Sequence, residues 1–131
     1  MENKKIVQDF FRYGYDDHDY CKVRELLFSK YYDHSPASAR NPEDAVHVLN
    51  ILEKAFDSIH VTVCDLIEEG NLVAGRFVFS GIHVGEYMGV KPTFRQVEWE
   101  FLENFRVENG IITESWGYWP DMEIINKLSV K

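Results

Sequence analysis

Cysteine is scarce in this chain: Cys21 and Cys64 are its only two among 131 residues, and they stand apart without metal-ligand spacing. That excludes zinc, haem and iron–sulfur patterns and predicts two free, buried thiols. Long apolar runs are also missing. None reaches the length needed to span a bilayer, and the opening Met-Glu-Asn-Lys-Lys leads into no apolar signal core. Bases are in deficit, 14 against 22 acids, and the net charge of -8 opposes binding to nucleic acid or an anionic membrane. Linkers, repeats and low-complexity segments are absent as well. These absences describe a cytoplasmic protein with one domain over 1–131, long enough to bury about two-thirds of its unfolded surface.

What is present begins with helical periodicity. Ile6, Val7, Phe10 and Phe11 form a stripe that fades at Tyr13-Gly14. Asp19 is placed to cap a second helix carrying Val23, Leu26 and Leu27, which runs into Tyr31-Tyr-Asp-His-Ser-Pro36. Asn41-Pro42-Glu43-Asp44 combines a capping side chain, a first-turn proline and acids at the positive helix end. Behind it Ala45, Val48, Leu49, Leu52 and Phe56 make a third stripe.

Alternation then replaces helical spacing. Strand-like runs cover Val61 to Leu66, Leu72 to His83, Gln96 to Val107 and Ile111 to Trp119. Glu69-Gly70-Asn71 and Glu108-Asn109-Gly110 are their turns. Pro120 and Asp121 open a short last helix with Ile124, Ile125 and Leu128. Helices followed by long antiparallel strands predict an α+β fold, a cone-shaped curved sheet wrapped over the N-terminal helices, with a pocket at its open end.

Within the third strand the inward set Val97, Trp99, Phe101, Phe105 and Val107 is interrupted by Glu103. A carboxyl on an apolar face resists ionisation, which suits a general acid or base near neutrality. The alternative is an edge position, or pairing with His34 or a backbone donor. His34 is a candidate partner of Glu103 or a turn residue ahead of Pro36. His83 either supports its turn or reaches the pocket mouth. Trp99, Phe101, Tyr87, Met88, Tyr118 and Trp119 are candidate ligand walls or plain core. Arg106 is expected to pair with Glu114 across the hairpin. A two-residue turn at Asn109-Gly110 sets residue 103 opposite 116, and only a bulge would bring 103, 115 and 117 to one face.

Tyr32-Asp-His-Ser-Pro36, Gly81-Ile-His-Val-Gly85, Gly89-Val-Lys-Pro-Thr93 with Arg95, and Phe105-Arg-Val-Glu-Asn-Gly110 occur in this order. Ile112-Thr-Glu114, Trp116 and Trp119-Pro-Asp121 follow. Together they resemble the SnoaL-like polyketide cyclase family, of the nuclear transport factor two-like superfamily that also holds ketosteroid isomerase. The resemblance implies a homodimeric cone holding a small hydrophobic molecule, and an intramolecular aldol cyclisation run without cofactor or metal. It implies a catalytic Asp at Gly117 (Tyr118 under a one-residue slip), a His at Ser115, a second His at Glu103 and an amide at His34. With that Asp and those His replaced, Glu103 becomes the candidate acid/base, with His34 and Tyr118 polarising a substrate oxygen. Ser115, Trp119 and His83 complete the expected ligand contacts. The competing reading is a non-catalytic ligand-binding or accessory protein on the same fold.

Overall fold

The computed structural model describes residues 2–36 and 40–129. Helix α1 (Asn3–Phe11) passes directly into a π-helical turn, Arg12–Asp16, followed by α2 (Tyr20–Leu26), β1 (Leu27–Asp33) and α3 (Pro42–Ala55). Strands β2 (Phe56–Glu69), β3 (Leu72–His83), β4 (Gln96–Glu108) and β5 (Ile111–Tyr118) come next, then α4 (Asp121–Ser129). The five strands run in the order β1-β5-β4-β3-β2, antiparallel except that β1 lies parallel to β5. This is the expected α+β architecture, with one strand more than the sequence disclosed.

That extra strand corrects the second helix. The helical spacing predicts that α2 includes Leu27 and runs into Tyr31, but Leu27–Asp33 pairs with residues 112–115 of β5. Phe28, Tyr31 and Tyr32 favour extended backbone, and the partner strand lies some eighty residues away, out of reach of any local pattern. Two other boundaries move. Phe56 opens β2 rather than closing α3, and in α3 it is Val46 that is buried while Val48 stays partly exposed. The first stripe does not stop at Tyr13-Gly14. Its i+4 series Val7, Phe11, Tyr15 continues through the π turn, and Tyr15 is buried.

The two cysteines are free, as expected, but not buried. Cys21 is on the exposed side of α2. Cys64 is the unpaired residue of a β2 bulge, between the pairs Val63↔Phe77 and Asp65↔Arg76.

The core lies between the inner sheet face and the helices. Phe11 is its centre, its ring 4.3 Å from Phe77 and in edge contact with Phe105 at 5.6 Å. From β4, Val97, Trp99, Phe101, Glu103, Phe105 and Val107 all point into it, while Glu98 and Glu100 are exposed. Between β3 and β4 the chain makes a tight reversal at Tyr87–Val90, with Met88 and Gly89 both at positive φ. Three contacts fix this segment. His83 Nδ1 accepts the Thr93 N–H at 3.2 Å. The Gly85 N–H donates to the Ala55 carbonyl at 3.0 Å. Arg95 donates to the Lys127 and Leu128 carbonyls, closing the C-terminal end of α4. Among the described residues no helix is long and apolar enough to cross a membrane.

Candidate active site

A cavity of about 180 Å³ opens between the sheet and the helices. The first helix and its π turn contribute Phe10 and Tyr15, and α3 contributes Ala45, Val48, Leu49 and Leu52. Tyr31, Asp33, Ser35 and Pro36 come from β1 and the turn after it. Glu103 enters from β4, Gly117 to Trp119 from the end of β5, Asp121 from α4, and Tyr87 from the loop above.

Register decides which polar groups meet there. Glu103 lies opposite Gly117 and Phe105 opposite Ser115, but Val107 pairs with Ile112, so the strand holds one extra residue between Ile112 and Glu114. That bulge brings 103, 115 and 117 to one face, which a plain two-residue hairpin at Asn109-Gly110 would have prevented. Arg106 Nε donates to Glu114 at 2.8 Å on the outer side, as the alternation predicts.

Glu103 is 9% exposed, and its carboxyl leans into the space left by Gly117. A Cβ on residue 117 would stand 2.9 Å from Glu103 Cδ and 3.0 Å from both Glu103 Oε1 and Ser35 Oγ. Burial pushes the Glu103 carboxyl well above its ordinary range, and the charge of Asp33 pushes it further. No hydrogen-bond donor among the described residues opposes this. Beside it the Gly117 N–H donates to Ser35 Oγ at 2.6 Å. The Ser35 hydroxyl and N–H both donate to Asp33 Oδ1, the latter at 2.8 Å.

Three phenols complete the polar lining. Tyr15 is raised well above its ordinary value by burial and then by the Glu103 charge. Tyr31 is raised by burial and the Asp33 charge, and shares a 2.6 Å hydrogen bond with the buried Ser115 hydroxyl. Tyr87 is pushed up to about 12 by burial, then by Asp121. All three therefore remain protonated, as hydroxyl donors, throughout the neutral range.

The candidate residues divide cleanly. Glu103, Tyr87, Tyr118 and Trp119 line the cavity, Tyr118 at its exposed rim. Phe101 stands behind, stacked on Trp119 at 4.6 Å, and Ser115 behind Tyr31. Trp99 is core. His83 is fully buried and bonded to Thr93, the turn-supporting alternative, and its pKa is lowered by burial. Met88 sits on the exposed reversal.

His34 does not meet Glu103. It stacks on Trp116, centroids 4.8 Å apart, and its Nε2 lies 2.8 Å from Glu114 Oε2. Strand parity is the reason: in β1 Tyr31 and Asp33 face the cavity, so Tyr32 and His34 face away. Tyr15, Tyr31, Asp33, Ser35 and Asp121 are polar lining residues that the sequence pattern does not single out. The i+4 series ending at Tyr15 and a strand reading of Leu27–Asp33 were the signals available. Among the described residues no group of three or more His, Cys, Asp or Glu side chains is placed to hold a metal ion.

Solved structures reproduce this frame. IdmH of Streptomyces antibioticus, described as a candidate polyketide cyclase, is 28% identical over 99% of this chain and 100% of its own, with a TM-score of 0.89. AclR of Streptomyces galilaeus, described as a candidate hydroxylase, is 23% identical over 96% of this chain and 93% of its own, TM-score 0.85. A candidate SnoaL-like polyketide cyclase from Jannaschia sp. CCS1 is 20% identical over 98% and 92%, TM-score 0.86. At such identities the last two speak for the fold alone. No curated protein matches the chain. The profile of SnoaL-like polyketide cyclases matches residues 5–128. With nearly its whole length covered by that match, the chain belongs to the SnoaL-like polyketide cyclase family.

Proposed function

We propose that this chain is a cofactor-independent enzyme that moves a proton at an activated carbon, in a cyclase- or isomerase-type reaction, with Glu103 as the acid/base. The observation that carries the reading is the carboxyl of Glu103 lying in the space in front of Gly117. The family resemblance puts the catalytic Asp at 117. Here the neighbouring strand supplies a carboxyl to that place, and the absent side chain at 117 makes room for it. Its raised pKa suits a group that takes a proton from carbon and returns it near neutrality. Tyr15, with its hydroxyl in the same cavity, donates to the oxygen on which charge develops. Tyr118 at the rim is placed to contact the substrate, whereas His34 is too far outside to take the role the sequence suggested for it.

The test is deuterium wash-in at the α-carbon of cyclohexanone in D₂O, followed by mass spectrometry. Exchange is expected above the buffer rate, rising with pH through the raised Glu103 pKa. Tyr15→Phe is expected to slow it by about 100-fold or more, the effect of one lost oxyanion donor. Binding without exchange would instead identify an accessory protein on the same fold.

A homodimer belongs to the same proposal. Leu72 and Leu102 are exposed, and the β3–β4 register sets both on the outer sheet face. Sedimentation should give twice the 15.4 kDa chain mass, and Leu102→Lys should return it to one. A wild-type chain that sediments as a monomer contradicts this.

A further inference from the structure

The carboxyl groups around the cavity have no basic counterpart among the described residues. Asp33, Glu103 and Asp121 line it, and no Lys, Arg or His does so among the described residues. Carboxylates withdrawn from water are normally paired with a cation or fully hydrogen-bonded. Glu103 is nine-tenths buried, has no hydrogen-bond donor among the described residues and has another carboxylate as its charged neighbour. An anionic ligand beside these acids would meet repulsion, a neutral one would not, and a cation would be attracted and would ease ionisation of Glu103. The remaining wall favours a cation too, because Tyr15, Tyr87 and Trp119 present aromatic rings, whose faces attract ammonium groups.

Size narrows the ligand further. An apolar cavity of about 150 Å³ holds one benzene molecule. At about 180 Å³ this one encloses a single ring or a compact bicycle.

We propose that the cavity selects a small cyclic amine, bound as its ammonium ion against Asp33 with Glu103 beside it, and rejects carboxylates and phosphates. This rests on the reading above only in taking the same cavity as the ligand site.

Isothermal titration of the full chain at neutral pH with cyclohexylamine, cyclohexanol and cyclohexanecarboxylate tests it, since the three share one ring and differ in charge. The amine is expected to bind about tenfold tighter than the alcohol, and the carboxylate more weakly than either. In Asp33→Asn the amine's advantage should disappear while the alcohol's affinity stays within about threefold. Should that variant fail to fold by circular dichroism, the order of the three wild-type affinities decides. Equal affinities, a carboxylate that matches the amine, no detectable amine binding, or a preference that survives in folded Asp33→Asn would each overturn the proposal. Because the readout is binding, amine selectivity without isotope exchange would overturn only the catalytic reading. Exchange without selectivity would overturn only this one.

Discussion

Glu103→Gln is expected to lower cyclohexanone exchange by about 10²–10⁴-fold, the usual contribution of a positioned acid/base, and yet to stabilise the protein at neutral pH. Both effects come from the same burial. The carboxyl ionises near 4.5 when the chain is unfolded, but well above that in the fold. Between those two values the native state holds one proton more than the unfolded state, so stability falls as pH rises, by about 1.4 kcal/mol per pH unit. The stability is fully present below 4.5, is lost progressively as pH climbs towards the native pKa, and is constant again above it. Glutamine keeps the shape and never ionises, so the variant should lose this slope. Melting curves of the two proteins should therefore coincide in acid and separate towards neutrality, with the variant higher. A domain of this size gains roughly 3–6 °C per kcal/mol. Parallel melting curves across that range would show that Glu103 ionises as freely in the fold as outside it.

Gly117→Ala should disable the site without unfolding it. The new methyl would stand 2.9 Å from Glu103 Cδ, and residue 117 is not at positive φ, so the backbone accepts alanine. What must yield is the far end of a flexible side chain, which can swing aside at little cost. Displacing a reacting group by about 1 Å can cost 100-fold in rate, and a loss of that order is expected here. The free energy of unfolding should change by less than about 1 kcal/mol, as for substitutions without a rigid clash. Denaturant unfolding and the exchange assay check the two halves separately. Full activity in this variant would mean that the carboxyl does not act from the place in front of residue 117. A stability loss of several kcal/mol would mean that rigid packing, not Glu103, fills that space.

Local periodicity revealed the parts of the fold that depend on it. The period-two series from Val97 to Val107 placed Glu103 inward, and Asn109-Gly110 marked the hairpin, with both residues at positive φ. β1 was hidden because its only partner is a parallel strand near the other end of the chain, and Leu26-Leu27 reads as a continued helical stripe. That one misreading moved the site by a residue. His34 drew attention for its chemistry, whereas strand parity turns Asp33 into the cavity and His34 onto Trp116. The extra residue in β5 was equally silent, since a turn signal states where a hairpin reverses and not whether its strands stay in step. The opposed pair of Glu103 and Gly117 depends on that bulge, so it emerges only in three dimensions.

The central claim is that burial in the cavity keeps the Glu103 carboxyl protonated well above the ordinary carboxylate range. An infrared difference spectrum, wild type minus Glu103→Gln, recorded from pH 5 upwards, tests it without any substrate. The account predicts a protonated-carboxyl carbonyl band that vanishes only when pH is raised well past the ordinary carboxylate range. A spectrum showing instead an ionised carboxylate already at pH 5 would contradict it.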